Sequence, residues 1–375
     1  MPSMISRIGK LNEVKKTKSV DAFFISSASS VKYFSGFFFY FEYGYSPFHL
    51  LPAILMVLPD QDASLVLADN EMSQSDAVDP LITVLPYASY AYEQPAAPAE
   101  KMLNRIYEFI QKNRLGAARI GIERDTLPFS VTQTMSELFP SIVWMDISAD
   151  IIHLKMVKDK DEIENIRQAA ALSDIGQEAV LKYARTGMTE LELFSLAHHD
   201  IEKSVGLRVP LMADLSSGIH TNSGGGMPTN NIIHEGDVIL SDFQACLQGY
   251  WGDSCSTLVV GRPTADQQKT FMLVSEALEI GIQAMKPGVQ AHEIDQLMRA
   301  HIGNYPHHSG HGVGTLYHEA PRITPYNKIV LETGMIIALE PAVYKEAWGI
   351  RLEHLMLVTD SGAQVLTTFR HRLQQ

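Results

Sequence analysis

The sequence is poor in cysteine, has no strongly basic run, and contains no apolar stretch long enough to cross a bilayer. Its only cysteines, Cys246 and Cys255, cannot form a disulfide framework and alone cannot build a four-ligand zinc site, so both read as reduced structural thiols. Thirty Lys+Arg against 43 Asp+Glu give a formal charge of −13, and an acidic surface without a Lys/Arg-rich run repels phosphate backbones. No nucleic-acid partner is expected. The most apolar run, Tyr45 to Pro59, is too short to span a membrane and is broken by Pro47, His49 and Pro52. It reads as a buried strand, and no membrane partner is expected. Met1 to Lys10 lacks the apolar stretch and small-residue cleavage site of a secretory signal, which makes the cytoplasm the expected compartment. No internal repeat or low-complexity tract is visible.

A chain of 375 residues with 46% hydrophobic and 19% charged residues has material for two cores and too little polarity for general disorder. From Leu11 to Val84 a charged helix is followed by the strand-like runs Ala22–Ile25, Ala53–Leu58 and Ser64–Leu67, an alternation that predicts a small α/β domain. Residues 86–99, with Pro86, Pro95 and Pro98, read as a long surface connection, and Arg119–Glu123 as one more strand of the same unit. The expected division is 1–152 and 153–375. Asp161-Glu162 opens a long helix that Gly187 should stop, and Thr264-Ala265-Asp266-Gln267 has capping-box spacing ahead of a helix running toward Lys286-Pro287-Gly288.

Three clusters carry chemistry. Five of the 14 histidines fall between His301 and His318, around Gly310-His311-Gly312-Val313-Gly314, where glycines permit close approach and imidazoles offer metal-binding or proton-transfer nitrogens. Val238–Phe243 and Asp253–Val259 read as a hairpin joined through Gln248-Gly249-Tyr250, which can bring Asp242 and Asp253 side by side. Two adjacent carboxylates repel unless a cation lies between them. Gly334–Leu339 runs into Glu340, and Gly349–Val358 contains Glu353; an unpartnered carboxylate in an apolar strand is costly to desolvate. Asp242, Asp253, His311, Glu340 and Glu353 would form an oxygen-rich, one-imidazole set suited to a pair of divalent ions such as Mn²⁺, Co²⁺, Fe²⁺ or Zn²⁺.

The order and spacing of these five residues, with His311 in His-Gly-Val-Gly, Glu340 in Leu-Glu-Pro and Glu353 in Ile-Arg-Leu-Glu, resemble the pita-bread family of prolidases, aminopeptidases P, methionine aminopeptidases and creatinase. Arg7–Phe37 is similar to that family's N-terminal domain opening, and Lys158–Ala171 to the start of its catalytic domain. The resemblance implies an α+β chain: a smaller creatinase-type α/β domain followed by a pita-bread catalytic domain. It also implies a dinuclear centre. Asp253 and Glu353 would bridge, Asp242 would serve mainly one metal, and His311 with Glu340 the other. A metal-bridging water would attack a carbonyl carbon, Glu340 passing its proton to the leaving nitrogen. His318 would hydrogen-bond the substrate, and Arg351 would orient Glu353 or a substrate carboxylate. Also implied are a short peptide substrate with proline after the scissile bond, a homodimer, and a Tyr40–Phe48 segment that closes over substrate in the partner's site.

One position departs from the family pattern. Ser217-Gly218-Ile219-His220 is followed by Ser223-Gly224-Gly225-Gly226, so that Gly225 stands where the family has a histidine that binds the scissile carbonyl, and His220 where it has an asparagine. Either His220 supplies the imidazole from another direction or the substrate is not a peptide. Two other readings follow: a relative hydrolysing a small C–N substrate, as ectoine hydrolase and creatinase-like amidinohydrolases do, and a catalytically silent binding protein. Four clustered carboxylates weigh against the last.

Overall fold

The computed structural model describes residues 4–39, 51–59, 62–93 and 96–375; the Tyr40–Phe48 segment lies outside them. The chain divides into two compact units, Met1–Lys155 and Met156–Gln375.

The first unit comprises α1 (Met4–Lys18), β1 (Ala22–Ile25), α2 (Ala28–Ser35), β2 (Ile54–Val57), β3 (Ala63–Ala68), β4 (Thr83–Tyr87), α3 (Pro98–Lys112), β5 (Arg119–Ile122), α4 (Phe129–Leu138), β6 (Val143–Asp146) and α5 (Ser148–Met156). Among the described residues its strands form one six-stranded mixed sheet in the order β4-β3-β2-β1-β5-β6. Both faces are covered, and the strand period of two sorts the core accordingly. Phe23, Ile25, Leu55 and Leu65 pack with α1 and α2 on one side, while Phe24, Ile54, Met56 and Val66 meet α3 and α4 on the other. The prolines do less breaking than expected. Pro86 lies within β4, an edge strand where a missing N–H is tolerated, and Pro98 is the first residue of α3, where the N–H would be unpaired in any case.

The second unit begins with α6 (Lys160–Tyr183) and α7 (Glu190–Val205) and continues through β7 (Leu211–Ser217), β8 (Val238–Leu247), β9 (Tyr250–Trp251) and β10 (Ser254–Val259). Then come α8 (Ala265–Ala284), α9 (Ala291–Ile302), β11 (Gly310–Gly312), β12 (Glu319–Ile323), β13 (Ile336–Leu339), β14 (Ala342–Tyr344), β15 (Gly349–Arg351), β16 (His354–Thr359) and β17 (Gly362–Val365). Capping boxes at Asp159/Glu162 and Thr264/Gln267 start α6 and α8. The first of these helices ends at Tyr183, short of Gly187, which turns the chain with φ +90° beyond it. One sheet has the order β10-β8-β7 and a second the order β12-β11-β13-β16-β17, with β14 and β15 paired separately.

Close backbone approach fixes the chain just before Asp253. A Cβ on Gly252 would lie 2.4 Å from the Ala169 carbonyl carbon and oxygen on α6, atoms that cannot rotate away. Gly252→Ala is therefore expected to cost about 1–3 kcal/mol through overpacking, seen as a lower denaturation midpoint, and to weaken any function that needs Asp253 in place.

Candidate metal centre

The two sheets each deliver part of one carboxylate cluster. Asp242 comes from the middle of β8 and Asp253 from the residue before β10, whereas His311 is central in β11, Glu340 follows β13, and Glu353 sits in the break between β15 and β16. That break corrects the expectation of one continuous strand over Gly349–Val358: β15 pairs with β14 and β16 with β13, which leaves Glu353 off both ladders. All five side chains are buried, from 1% exposure for Asp253, His311 and Glu353 to 7% for Asp242 and Glu340.

The hairpin register differs from simple side-by-side pairing. Cys255, not Asp253, stands opposite Asp242. The two aspartates are linked diagonally by Gln244, whose Nε2 donates to Asp242 Oδ1 and, at 3.1 Å, to Asp253 Oδ1. Gln244 shares the face of Asp242 because it lies two residues along the strand, a signal present in the sequence alone.

His311 donates from Nδ1 to the Gly312 carbonyl at 3.0 Å, an assignment fixed by the carbonyl's being able only to accept. Its Nε2 lone pair therefore faces Asp253 Oδ2 at 3.5 Å, Glu340 Oε1 at 3.7 Å and Glu353 Oε1 at 3.9 Å. Among the described residues, Asp253 Oδ2 and Glu353 Oε2 are buried oxygens without a hydrogen-bond partner. Asp253, His311 and Glu353 can each turn one donor atom to a common centre, since those atoms lie within 4.8 Å of one another.

Electrostatics divides the carboxylates. Burial pushes Asp242 up to about 6 against the pull of Arg351, and burial together with neighbouring negative charge pushes Asp253 and Glu353 well above their ordinary range. Glu340 goes the other way: burial opposes its charge, but the hydrogen bond from His308 and the nearby Arg351, His311 and His307 outweigh it and hold it down to about 2. Burial also depresses His311 to about 3, which keeps its imidazole neutral.

Other expected site residues have definite places. His318 lies beside His311 with ring centroids 4.1 Å apart, on a turn that Glu319 closes by accepting from Thr315 Oγ1 and the Leu316 amide, each at 3.1 Å. Arg351 does not orient Glu353. Its Nη2 donates to Asp242 Oδ2 at 2.5 Å, its Nη1 to the Gly224 carbonyl, and its Nε meets Cys255 Sγ at 3.3 Å. His220 is not brought to the cluster: its ring is about half exposed, and Nδ1 lies 3.3 Å from Glu190 Oε1. Sequence reasoning also missed His308, whose Nε2 lies 2.9 Å from Glu340 Oε1, although it stands within the histidine-rich run.

Glu190 organises the glycine loop. The carboxylate is fully buried, and it accepts from the Ser217 amide at 2.7 Å and Asn231 Nδ2 at 3.1 Å on one oxygen, and from the Thr229 amide and hydroxyl on the other. These bonds outweigh burial and hold it below its ordinary value. The loop opens onto a cavity of about 750 Å³ lined by Asp242, Glu340, His307, His308, His318 and Arg351, together with the apolar Phe194, Met212 and Met227. Among the described residues, no helix is long and apolar enough to cross a membrane.

Residues 7–157 match the creatinase/prolidase N-terminal domain, and residues 164–360 match metallopeptidase family M24. The chain is 28% identical over 379 residues to the Xaa-Pro dipeptidase of Pyrococcus furiosus, covering 99% of this chain and 100% of that protein. Among solved structures, the prolidase from Pyrococcus furiosus superposes with a TM-score of 0.79 at 28% identity, covering 96% of this chain and 100% of that one. The Xaa-Pro dipeptidase from Bacillus anthracis shares the fold with a TM-score of 0.84 at 24% identity, covering 99% of each chain. With more than half its length matched by the catalytic-domain family and residues 7–157 by the creatinase/prolidase N-terminal domain, this two-domain pita-bread chain belongs to metallopeptidase family M24.

Proposed function

We propose that the chain is a proline-specific peptidase of the Xaa-Pro dipeptidase or aminopeptidase P type, working with two divalent metal ions, Mn²⁺ foremost. Family membership implies divalent metal ions. The observation that carries the site assignment is the pair of unpartnered buried oxygens, Asp253 Oδ2 and Glu353 Oε2, beside the free Nε2 of His311. Buried carboxylates are stabilised by partners, and this donor set of four carboxylates and one imidazole suits divalent ions. Asp242, Asp253, His311, Glu340 and Glu353 would hold them. When bound, such ions polarise a carbonyl and make water a nucleophile near neutral pH.

The chain's own groups then divide the remaining work. Glu340, held anionic by His308 and its other cationic and imidazole neighbours, is the base for the attacking water and returns the proton to the leaving nitrogen. His318, on the cavity wall, donates a hydrogen bond to the substrate's carbonyl oxygen. Arg351 fixes Asp242 from behind. The apolar and histidine side chains of the lining suit a short peptide.

Gly225 supports a second reading, a small C–N substrate, because the wall lacks the family imidazole at that place. A panel separates the two. Protein loaded with Mn²⁺ is expected to cleave Xaa-Pro dipeptides, with longer peptides bearing proline second deciding between dipeptidase and aminopeptidase. Turnover of creatine or ectoine with inactivity toward every proline peptide would replace the first reading with the second.

A further inference from the structure

The cavity carries one carboxylate that the proposed metal chemistry leaves unused. Asp214 stands on β7 directly across the ladder from Asp242, so the pleat turns both side chains to the same side of the sheet, and both line the cavity. Its side chain is 40% exposed, and its Oδ2 is 3.8 Å from Arg351 Nη2. That guanidinium is already engaged with Asp242, the Gly224 carbonyl, Cys255 and the Tyr344 hydroxyl. Among the described residues no hydrogen bond is made to the Asp214 carboxylate, and it stands outside the donor groups close enough to share one metal ion.

The missing side chain at 225 belongs to the same arrangement. A Cβ there would lie 2.7 Å from Asp214 Oδ2, and φ is +111°, a conformation that L side chains rarely adopt. Glycine at 225 is therefore what gives Asp214 its room. The wall that could have carried an imidazole instead carries an acceptor with unused lone pairs, set among the apolar side chains of Phe194, Met212 and Met227. Such a carboxylate favours a cationic hydrogen-bond donor and repels an acidic group.

We propose that Asp214 is a specificity-determining residue that binds a protonated amine of the substrate, so that the site selects molecules with a free ammonium group close to the scissile bond. This rests on the cavity being the substrate site of a peptidase and adds what its wall reads. An N-terminal amine on the residue before proline fits that description, whereas an acylated terminus does not.

The test is equilibrium binding to the metal-loaded protein, using two uncleavable ligands: the ketomethylene analogue of alanyl-proline, and the same compound lacking its α-amino group. Wild type is expected to prefer the amine by about tenfold, the order of one charge-assisted contact. Asp214→Asn, which keeps size and shape, is expected to erase most of that preference while leaving the affinity of the amine-free ligand unchanged; Asp214→Glu should restore part of it. Equal weakening of both ligands by Asp214→Asn, or an undiminished preference, overturns the proposal. The ligands are not hydrolysed, so a proline panel without turnover would remove the peptidase reading and still leave this ratio to decide the role of Asp214.

Discussion

Glu353→Gln is expected to cut divalent-metal affinity and turnover by more than the roughly 10- to 100-fold that loss of a partner behind a metal ligand costs, while the melting temperature of the metal-free protein does not fall. The second half of that result is the diagnostic one. Glu353 is 1% exposed, one of its oxygens is unpartnered, and the charges of Asp253 and Asp242 lie close by, so its anionic form opposes the metal-free fold. An amide of the same shape removes that repulsion. Glu190 is the contrasting case, because every donor around it points at a carboxylate. Glu190→Gln is expected to cost about 1–3 kcal/mol, since one of its acceptor oxygens becomes a donor facing donors. Calorimetric Mn²⁺ titration and thermal unfolding of the two variants check the pair of outcomes. A Glu353→Gln protein that melts earlier without metal, or binds metal as wild type does, would show that carboxylate to be structural.

Metal affinity is expected to fall steeply as the solution is acidified through about pH 6, by up to about tenfold per pH unit for each proton displaced. The sign follows from the carboxylates. In the metal-free fold Asp242 is pushed up to about 6, and Asp253 and Glu353 lie well above their ordinary range. A metal ion binds only their anionic forms, so protons compete below those values and not above them. His311 adds no competition, because burial keeps it neutral down to about 3. The same shifts act oppositely on the metal-free protein: raised carboxylate values in the fold cost stability at high pH, and that cost is relieved as pH falls through about 6 toward the unfolded value of 3.8 for Asp242. Titrations between pH 5.5 and 8 in two buffers of different ionisation enthalpy count the protons released. An affinity independent of pH, with no proton release, would remove the carboxylate assignment.

Much of the candidate centre was legible before any fold was known. An aspartate in an apolar strand, a histidine among glycines and two glutamates at strand ends violate the usual alternation, and such violations mark functional sites. Register was not legible. Whether Cys255 or Asp253 opposes Asp242 depends on the turn at Gln248-Gly249 and the short β9 strand, which no pattern of apolar residues specifies. Asp214 went unseen for the same reason, since it gains its meaning from Asp242 across the ladder, whereas Gln244 was within reach of the sequence, two residues along the strand from Asp242. Arg351 was expected to face the glutamate two residues away, but β15 turns it toward Asp242 and the glycine loop. In the first unit, Pro86 and Pro98 read as breakers because their tolerance depends on being at a sheet edge and a helix start, which are facts of position rather than composition.

Glu190 ties together both ends of the stretch from Ser217 to Thr229. A loop knotted at its base by one carboxylate keeps its closure whatever residues occupy its crown. The crown, Ser223 to Met227, can vary on that base within the limit set by the Gly224 carbonyl that Arg351 holds and the left-handed Gly225 beside Asp214: side chains exchanged around those two glycines would remodel the cavity wall, while the five proposed metal ligands are carried on other strands and turns.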